Sequence, residues 1–402
     1  MRVLATLGFF GRFGETDGVV STYSHLFPLF SRHRIQLDIL CHGPENRIQT
    51  IADGVQVISH RPRVSVPLDK ERVMDPLLSF GFGGREVRTR QYDLVQSSAP
   101  DPTGMVGLQV ARRQGLPVVA LYHTALDRYA EIRIGRGLGR TAGKAMGEAM
   151  RRFLVWYYNQ ADLILAPSEN TRAEIAEWFT PRTDILSRGI DTERFHPRHR
   201  ERSDTRIRVL YVGRVAPEKN IGLLAKIFAS RNDADLAITG GGPHREDFQR
   251  MMPYATFSGL LRGDDLLRTY ASADVFAFPS RTDTLGNVVL EAMASGLPVV
   301  VTNSMGPQEL VQHGVTGFVA KTDEEFESYL TLLIRDHEVR QRMGAAARRA
   351  AENRTWEQVF NRLLGFYESV SAKPCRTQMR ARRHRRSMQH HAPVDHSHGV
   401  QA

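Results

Sequence analysis

The amino-acid sequence predicts an α/β protein in which two parallel sheets each carry helices on both faces. Short apolar runs alternate with longer helical patterns along the chain, which is the order of strand–helix–strand units. Several runs are uninterrupted stretches of Val, Ile and Leu, as expected of parallel strands that are buried on both faces. A length of 402 residues is typical of two domains, so we expect two sheets rather than one.

The predicted strands fall into two series that are separated by a break in composition. The first series comprises residues 2–7, 36–41, 94–97, 117–122 and 163–166, and the second comprises residues 207–212, 235–239, 255–258, 275–278 and 298–302. Between them, residues 196–205 are polar and charged without apolar periodicity, and they are predicted to link the domains. Ligands of open α/β sheets bind at the carboxyl ends of the strands, so we expect a cleft where the two domains face each other.

The chain after the last predicted strand contains one further strong helix signal. Apolar residues at positions 356, 359, 360, 363, 364 and 367 follow the spacing of an amphipathic helix. Hydrophobic order ends after Ser371, and a disordered tail is predicted to follow. Residues 373–402 carry seven Lys and Arg residues against one acid, so +6 of the net charge of +10 lies in the tail and +4 in the remaining residues.

Composition argues against several classes of protein. No apolar run reaches the roughly 18 residues that span a bilayer, and the N-terminal segment is interpreted as a first strand rather than a secretory signal. Only two cysteines occur, Cys41 and Cys375, which excludes a disulfide framework and fits a reducing cytosol. The basic tail has no aromatic residue to stack on bases, so specific nucleic-acid binding is a weak alternative. The expected location is cytoplasmic, with peripheral attachment to the inner face of the cell membrane left open.

Two features of the first domain follow predicted strands. A glycine-rich segment, residues 8–18, lies between the first strand and a helical pattern, where glycines allow the backbone to approach a phosphate or sugar. A tight turn without a ligand is the alternative. His123 follows the strand at 117–122 and could hydrogen-bond a substrate hydroxyl or stabilise developing charge. The alternative for His123 is a structural imidazole.

The second domain carries cations and glycines at its predicted strand ends. Arg214 and Lys219 follow the strand at 207–212, where fixed positive charge would stabilise a leaving diphosphate. A solvated surface pair is the alternative. Residues 240–243 and 257–260 follow the next two strands and permit close backbone approach to a ligand, such as a base held by main-chain groups.

The most informative segment is residues 280–301, which contains the carboxylates Asp283 and Glu291 on either side of a helix start predicted at 285–287. Free N–H groups at a helix N-terminus attract phosphate. Asp283 can accept hydrogen bonds from sugar hydroxyls, and Glu291, two turns into the helix, is expected to face the same crevice. A ligand with both phosphates and many hydroxyls is a nucleotide sugar.

Together these segments resemble the retaining glycosyltransferases of glycosyltransferase family 4 (glycosyl transferases group 1). The matching pieces are residues 17–19, 123–124, 187–197, 213–219, 240–243 and 283–298, and the resemblance covers about residues 1–370. It implies the GT-B fold, with two Rossmann-like domains facing across a cleft and a C-terminal helix that returns to the N-terminal domain. The implied segments are an N-terminal acceptor domain of residues 1–198, a linker of 199–206, a C-terminal nucleotide-sugar donor domain of 207–354, a crossover helix of 355–371 and a basic disordered tail of 372–402.

The resemblance also implies roles for individual residues. Arg214 and Lys219 would grip the nucleotide diphosphate, and Asp283 would bind hydroxyls of the transferred sugar. His123 would contact that sugar near the reacting carbon, which completes the predicted catalytic set. Glu291 would bind the ribose. The remaining predicted donor-binding residues are Gly18, Gly213, Gly242, Phe257, Gly259, Leu260, Leu285, Gly286, Asn287 and Val288. The family generally needs no metal ion, and no metal or other cofactor is predicted.

Two positions of the 283–298 segment depart from the family's usual pattern. The first carboxylate is usually Glu, whereas this chain has the shorter Asp283, so which sugar hydroxyl it binds stays open. Leu285 replaces the commoner Phe, an apolar exchange with little expected consequence.

The predicted reaction moves a hexose from a UDP- or GDP-linked sugar to a lipid or lipid-linked glycan at the membrane surface, with retention and without a metal ion. Residues 134–158 mix cations with aromatic residues, so we expect them and the basic tail, 373–386, to contact an anionic membrane. An ordinary helix with a solvated basic face and a merely solubilising tail are the alternatives. A nucleotide-sugar epimerase of the same fold is the alternative enzyme.

Overall fold

The structure is a computed structural model that describes residues 1–9, 18–62, 66–67, 73–74, 81–304 and 306–372. As the sequence predicts, these residues form two α/β domains, whose main sheets contain eight and six strands. The glycine-rich segment is described only at its two ends, and the basic tail lies outside the described residues apart from Ala372.

The first domain contains ten strands and six helices in the described ranges. In chain order they are β1 (Arg2–Phe9), α1 (Gly18–Arg32), β2 (Gln36–His42), β3 (Arg47–Ala52), β4 (Val55–His60), β5 (Val66–Pro67), β6 (Val73–Met74), α2 (Phe82–Arg88), β7 (Leu94–Ser97), α3 (Pro102–Gln114), β8 (Val118–Leu121), α4 (Leu126–Leu138), α5 (Arg140–Tyr158), β9 (Leu163–Ala166), α6 (Glu169–Ala176) and β10 (Arg182–Ile185).

The second domain and the C-terminal helix follow. Their elements are β11 (Ile207–Val212), α7 (Ile221–Phe228), β12 (Ala234–Thr239), α8 (Arg245–Met251), β13 (Thr256–Gly259), α9 (Gly263–Ala271), β14 (Val275–Phe278), α10 (Asn287–Ala294), β15 (Val299–Thr302), α11 (Pro307–Leu310), β16 (Gly317–Ala320), α12 (Asp323–Arg335), α13 (His337–Glu352) and α14 (Trp356–Ser371). Short 3₁₀ turns occur at Pro197–His199 and Pro217–Lys219.

The strand orders place a ligand crevice in each sheet. The first sheet has the order β10-β9-β8-β7-β1-β2-β4-β3, and the second has the order β13-β12-β11-β14-β15-β16. The chain reverses its direction of travel across the sheet between β1 and β7, and again between β11 and β14. In open α/β sheets ligands bind at such switch points, beyond the carboxyl ends of the strands. Lys219 follows β11 and Asp283 follows β14, so both lie beside the second switch point.

The structure adds strands that the sequence did not reveal. The strand β3 is mostly exposed and pairs antiparallel to β4 at the edge of an otherwise parallel sheet. Its alternation of polar and apolar residues lacks the continuous apolar run on which the prediction relied. The strand β10 has the sequence Arg-Thr-Asp-Ile and is likewise not apolar, yet it pairs in parallel with β9.

The C-terminal helix α14 packs on the first domain, although it follows the second domain in the chain. Its apolar face joins the core beneath α1, where the rings of Phe360 and Phe30 meet edge to face with centroids 4.9 Å apart. The Tyr367 hydroxyl also donates a hydrogen bond to Gln96 of β7. The helix therefore ties the end of the second domain back to the first, as the predicted fold requires.

The segment predicted as a linker is held against the second domain. Arg200 donates a hydrogen bond to the carbonyl of Ala273 (2.9 Å), and Arg202 forms an ion pair with Asp274 (3.1 Å). The predicted linker therefore packs with the second domain instead of spanning freely between the two domains.

Candidate active site

The loop after β14 carries Asp283, which is held by a cation from the loop after β11. The Lys219 Nζ lies 2.7 and 2.8 Å from the two Asp283 carboxylate oxygens, and the Ser280 hydroxyl donates to the same carboxylate. Both side chains are largely buried, with 12% of Lys219 and 21% of Asp283 exposed. Burial by itself lowers the pKa of Lys219, but Asp283 and the neighbouring Tyr129 and Glu218 more than offset this and raise it. Lys219 is therefore a permanent cation at the end of the sheet.

The helix α10 begins beside this pair, within the predicted range. Gly286 precedes its first residue and adopts φ 84°, a left-handed conformation that glycine adopts without strain. Leu285 is buried in the core, whereas Asn287 and Val288 are half-buried at the helix start. The first N–H groups of a helix lack intrahelical acceptors, so this end of α10 can donate hydrogen bonds to an anion near Lys219.

Glu291 lies one turn into α10, four residues after Asn287, and its hydrogen-bond partner differs from that of Asp283. The Tyr270 hydroxyl of α9 donates to Glu291 Oε2 at 2.6 Å. Burial raises the pKa of Glu291, while the Tyr270 hydrogen bond and the charge of Arg194 partly offset that rise. Asp283 and Glu291 are thus separate acceptors, one paired with a cation and the other with a neutral hydroxyl.

The glycine loops that follow β11 and β12 stack directly on each other. A Cβ atom on Gly240 would lie 1.9 Å from the carbonyl oxygen of Gly213, and one on Gly242 would lie 2.3 Å from that of Val215. Hydrogen bonds join the same loops, since the Gly213 N–H donates to Thr239 and the Val215 N–H to Gly241. The glycines therefore bring two main-chain loops together beside the crevice, and larger residues would separate them.

His123 lies across the cleft, at the carboxyl end of β8. Its Nδ1 is 2.7 Å from the guanidinium of Arg188, and its backbone carbonyl accepts a hydrogen bond from Thr284 of the second domain (2.6 Å). Its Nε2 is buried and has no hydrogen-bond partner among the described residues. Burial and the Arg188 charge lower the pKa of His123 well below its usual value, so the ring is neutral at physiological pH.

Hydrogen bonds close the cleft between the two domains. The carbonyl of Thr284 accepts from Ser168 (3.0 Å), and Tyr129 of α4 donates to Glu218 (3.1 Å). The carboxylate of Glu309 accepts two N–H groups at the start of α6, those of Glu169 (2.6 Å) and Asn170 (2.5 Å). Thr284 adjoins Asp283, so closure positions the loop that carries the candidate sugar-binding carboxylate.

Comparison with known proteins agrees with this architecture. The family model for Glycosyltransferase Family 4 matches residues 16–194, and the model for Glycosyl transferases group 1 matches residues 192–350. A GDP-mannose-dependent alpha-mannosyltransferase of Mycolicibacterium smegmatis is 38% identical, over 89% of this chain and 94% of the relative. The chain belongs to glycosyltransferase family 4. It is an enzyme that transfers a sugar from a nucleotide-sugar donor.

Two further comparisons extend the likeness. A GDP-mannose-dependent alpha-(1-6)-phosphatidylinositol monomannoside mannosyltransferase of Mycolicibacterium smegmatis is 34% identical, over 75% of this chain and 81% of the relative. The solved sucrose-phosphate synthase of Thermosynechococcus elongatus superposes with a TM-score of 0.77 at 18% identity, covering 92% of this chain and all of that one. The second likeness concerns the fold alone and confirms GT-B.

Most of the predicted donor-binding residues of this glycosyltransferase lie around the second switch point. Phe257 is half-buried, Gly259 is buried and Leu260 is 50% exposed, all at the end of β13. Arg214 lies in the loop after β11, where its carbonyl accepts a hydrogen bond from the Tyr211 hydroxyl (3.0 Å). Gly18 is the first residue of α1, and the part of its loop at residues 10–17 lies outside the described residues.

Several site residues are not predictable from the sequence alone, because their partners are distant in the chain. Tyr270, Arg188 and Glu309 act through contacts spanning 21, 65 and up to 140 residues. Arg188 lies within the 187–197 segment that resembles the family, and that local signal could have indicated it. Across the described ranges, no group of three His, Cys, Asp or Glu side chains is arranged to hold a metal ion. None of the described helices has the length and apolarity needed to cross a membrane.

Proposed function

We propose that this glycosyltransferase moves mannose from GDP-mannose to a lipid or lipid-linked glycan at a membrane surface, with retention of configuration and without a metal ion. The observation that carries the donor is that the two mannosyltransferases from Mycolicibacterium smegmatis, 38% and 34% identical to this chain, are both named GDP-mannose-dependent. The second is named for a phosphatidylinositol monomannoside acceptor, which supports a glycolipid acceptor here. We assign donor binding to residues 207–354 and acceptor binding to residues 1–198.

In this proposal the diphosphate lies between Lys219, Arg214 and the start of α10. The Lys219 Nζ is already 2.7 Å from Asp283 Oδ1, so a bound donor would share this cation with the carboxylate. A buried cation is a stronger partner for an anion than an exposed one, because little water screens it. Positive charge at this position stabilises the diphosphate as it leaves, the role that a divalent ion has in other transferases.

The sugar and the ribose are assigned to the two carboxylates. Asp283 would accept hydrogen bonds from hydroxyls of the mannose, since the adjacent Thr284 contacts His123 across the cleft. Glu291 would bind the ribose, with Tyr270 holding its second oxygen in place (2.6 Å). Phe257 and Leu260, at the end of β13, would frame the base together with the main chain of Gly259.

The chemical step follows from this placement. The acceptor hydroxyl oxygen forms a bond to the anomeric carbon on the face from which the diphosphate departs, as the bond between that carbon and the phosphate oxygen breaks. The acceptor proton passes to the leaving diphosphate oxygen, so retention needs no protein base. The contacts of Thr284, Tyr129 and Glu309 between the domains support a cleft that closes and excludes water, which would otherwise hydrolyse the donor.

The membrane surface is assigned to the helical hairpin of α4 and α5. The hairpin exposes Leu138, Met146, Phe153 and Trp156, with 75%, 42%, 37% and 45% of each residue accessible. Exposed cations flank these side chains at Arg140 and Lys144, and at Arg152, which forms an ion pair with Glu148 (3.2 Å). Apolar side chains beside cations suit the interface of an anionic bilayer, where each nearby unpaired cation contributes about 1 kcal/mol.

The donor assignment is tested by thermal stability in a panel of GDP- and UDP-linked sugars. We expect GDP-mannose to raise the melting temperature, because ligand at about 100 times its Kd stabilises the folded state by roughly 2.7 kcal/mol. The rise should be lost in Lys219→Ala and kept in Lys226→Ala, whose lysine is exposed on α7. Stabilisation by UDP-sugars but not by GDP-mannose would refute the donor. If GDP-mannose stabilises the protein, mannose transfer to lipid extracts identifies the acceptor class.

A further inference from the structure

Arg188 is a buried cation whose guanidinium is turned toward the candidate active site. It follows β10, and only 8% of the residue is exposed. One of its NH2 groups donates to the Leu186 carbonyl (3.2 Å), and the other lies 2.7 Å from His123 Nδ1. The first bond anchors the guanidinium to its own main chain, so the second is held in a fixed direction.

The chemistry of arginine determines which atom of His123 carries the proton. A guanidinium has five N–H donors and no acceptor, and it stays protonated in proteins. Nδ1 of His123 must therefore accept the hydrogen bond, and an Nδ1 that accepts carries no proton. A neutral imidazole bears its single proton on the other nitrogen, Nε2, which is the buried atom that lacks a partner among the described residues.

This arrangement is the reverse of a histidine base. In a base, Nδ1–H donates to a carboxylate or carbonyl, which leaves Nε2 as a proton acceptor. We propose that Arg188 is a positioning residue that holds His123 as the neutral tautomer with its proton on Nε2, so that His123 donates a hydrogen bond to an oxygen of the transferred sugar and cannot take up the acceptor proton. The sugar contact rests on the proposed function, whereas the tautomer rests on the Arg188 contact alone.

The surroundings of the pair favour the same state. Burial and the Arg188 charge both lower the pKa of His123. Burial lowers the pKa of Arg188 to about 10, partly offset by Tyr23 of α1, so Arg188 stays charged at neutral pH. Tyr23 is itself hydrogen-bonded to Ser98 (2.7 Å), and the Thr284 hydroxyl bonds to the main-chain carbonyl of His123 (2.6 Å). A neutral ring suits the reaction, because the sugar carbon becomes positive in the transition state.

The test is the tautomer of His123 in the full chain labelled with 15N-histidine, without donor or acceptor. The His123 signals are assigned by their loss in His123→Gln. We expect the Nε2–H form with no titration between pH 5.5 and 8 in the wild type. In Arg188→Met the pKa of the ring should rise above its wild-type value but stay below the usual 6.5, because burial, the larger cause of the lowering, remains. Its tautomer should no longer be fixed, because Nδ1 loses the Arg188 donor. Arg188→Lys, which can also donate to Nδ1, should restore the neutral tautomer at least in part and covers the case in which Arg188→Met does not fold.

Kinetics provide the second readout. The wild-type kcat/KM should show no acid limb from His123, whereas the kcat/KM of Arg188→Met should fall toward acid pH, because its ring gains charge beside the sugar at a higher pH than the wild-type ring does. Arg340→Met is the matched control, because Arg340 is also 8% exposed but donates only to main-chain carbonyls. It should lower stability without changing the pH profile.

Three results would overturn the proposal: an Nδ1–H signal in the wild type, an ordinary titration of the wild-type ring, or an unchanged tautomer and pH profile in Arg188→Met. Failure of the proposed function is distinguishable, since the tautomer is observed in ligand-free protein. An Nε2–H signal in a protein that does not use GDP-mannose would leave the role of Arg188 standing and reject only the donor.

Discussion

Asp283 and Glu291 are both carboxylates of the candidate donor site, but one is paired with a cation and the other with a neutral hydroxyl. Asp283 has a cation at 2.7 Å, so its negative charge is matched before any ligand arrives. Glu291 has the neutral Tyr270 hydroxyl as its hydrogen-bond partner, and burial raises its pKa. A buried carboxylate of this kind destabilises the fold when ionised, which is a cost commonly accepted at functional sites.

We expect Glu291→Gln to make the protein more stable at neutral pH and less active. The folded-state pKa lies above the usual value of 4.5, so protonation stabilises the fold at low pH and that stability is lost as pH rises through the raised pKa. Glutamine mimics the protonated acid and keeps an acceptor for Tyr270. The gain in the free energy of unfolding should therefore be full at pH 8 and shrink toward pH 4.5, as urea denaturation at several pH values would measure.

The same variant should lose about 10- to 100-fold in kcat/KM for the donor, because a hydrogen bond to a charged group contributes about 1.5–3 kcal/mol. Tyr270→Phe is the control, and it should lower the free energy of unfolding, because it leaves the Glu291 carboxylate buried without its hydroxyl partner. Lower stability of Glu291→Gln than of the wild type at pH 8 would contradict this account.

The hairpin of α4 and α5 exposes apolar side chains to solvent. A Cβ atom on Gly143 would lie 2.7 Å from the Cα of Gly135, so glycines let the two helices pack backbone to backbone. That contact needs few large side chains, and Phe153 and Trp156 are left partly exposed, with rings stacked at 6.0 Å. Exposed aromatic residues beside cations mark an interaction surface rather than a core.

We expect the double variant Phe153→Ser/Trp156→Ser to bind vesicles of anionic lipid about tenfold more weakly than the wild type, because less apolar area enters the interface. Binding of both proteins should fall with salt, which screens the flanking cations. Vesicle co-sedimentation of the full chain provides the measurement. Met251→Ser, on the exposed face of α8 in the second domain, should bind as the wild type does. If the double variant binds vesicles as tightly as the wild type, the membrane-binding surface does not include Phe153 and Trp156.

At the scale of the whole molecule, the two domains are joined through main-chain groups of the site itself. Glu309 accepts two N–H groups at the start of α6, where the helix dipole favours negative charge. The Thr284 hydroxyl donates to the His123 carbonyl, and the Thr284 carbonyl accepts from the Ser168 hydroxyl. The loops that carry Asp283 and His123 are therefore joined directly to each other across the cleft.

We expect Glu309→Gln to favour an open molecule, because the amide has no charge and a single acceptor oxygen for the two N–H groups. The loss should be about 1–2 kcal/mol, or roughly 5- to 30-fold in the closed-to-open ratio. Small-angle scattering should report a larger radius of gyration, and the ratio of donor hydrolysis to transfer should rise. Glu169→Gln is the control, because the Glu169 side chain pairs with Arg172 of its own helix. An unchanged radius and ratio would show that Glu309 does not hold the domains together.

Much of the architecture was readable from the sequence because it depends on local signals. Parallel strands buried on both faces appear as unbroken apolar runs, and the runs at 163–166, 207–212 and 275–278 match strands to the residue. The strands β3 and β10 were missed for the same physical reason, since an edge strand need not be apolar. The glycosyltransferase family was readable from the 283–298 segment, whose residues are close in sequence.

By itself, then, the sequence determined two α/β domains, a cleft at their strand ends and the residue types that a nucleotide sugar requires. Only the tertiary structure decided which of those residues meet. Lys219 pairs with Asp283 across 64 residues, Arg188 with His123 across 65, and Thr284 with His123 across 161. Such pairs depend on the order of strands in each sheet and on the approach of the two domains, and neither is encoded in local spacing.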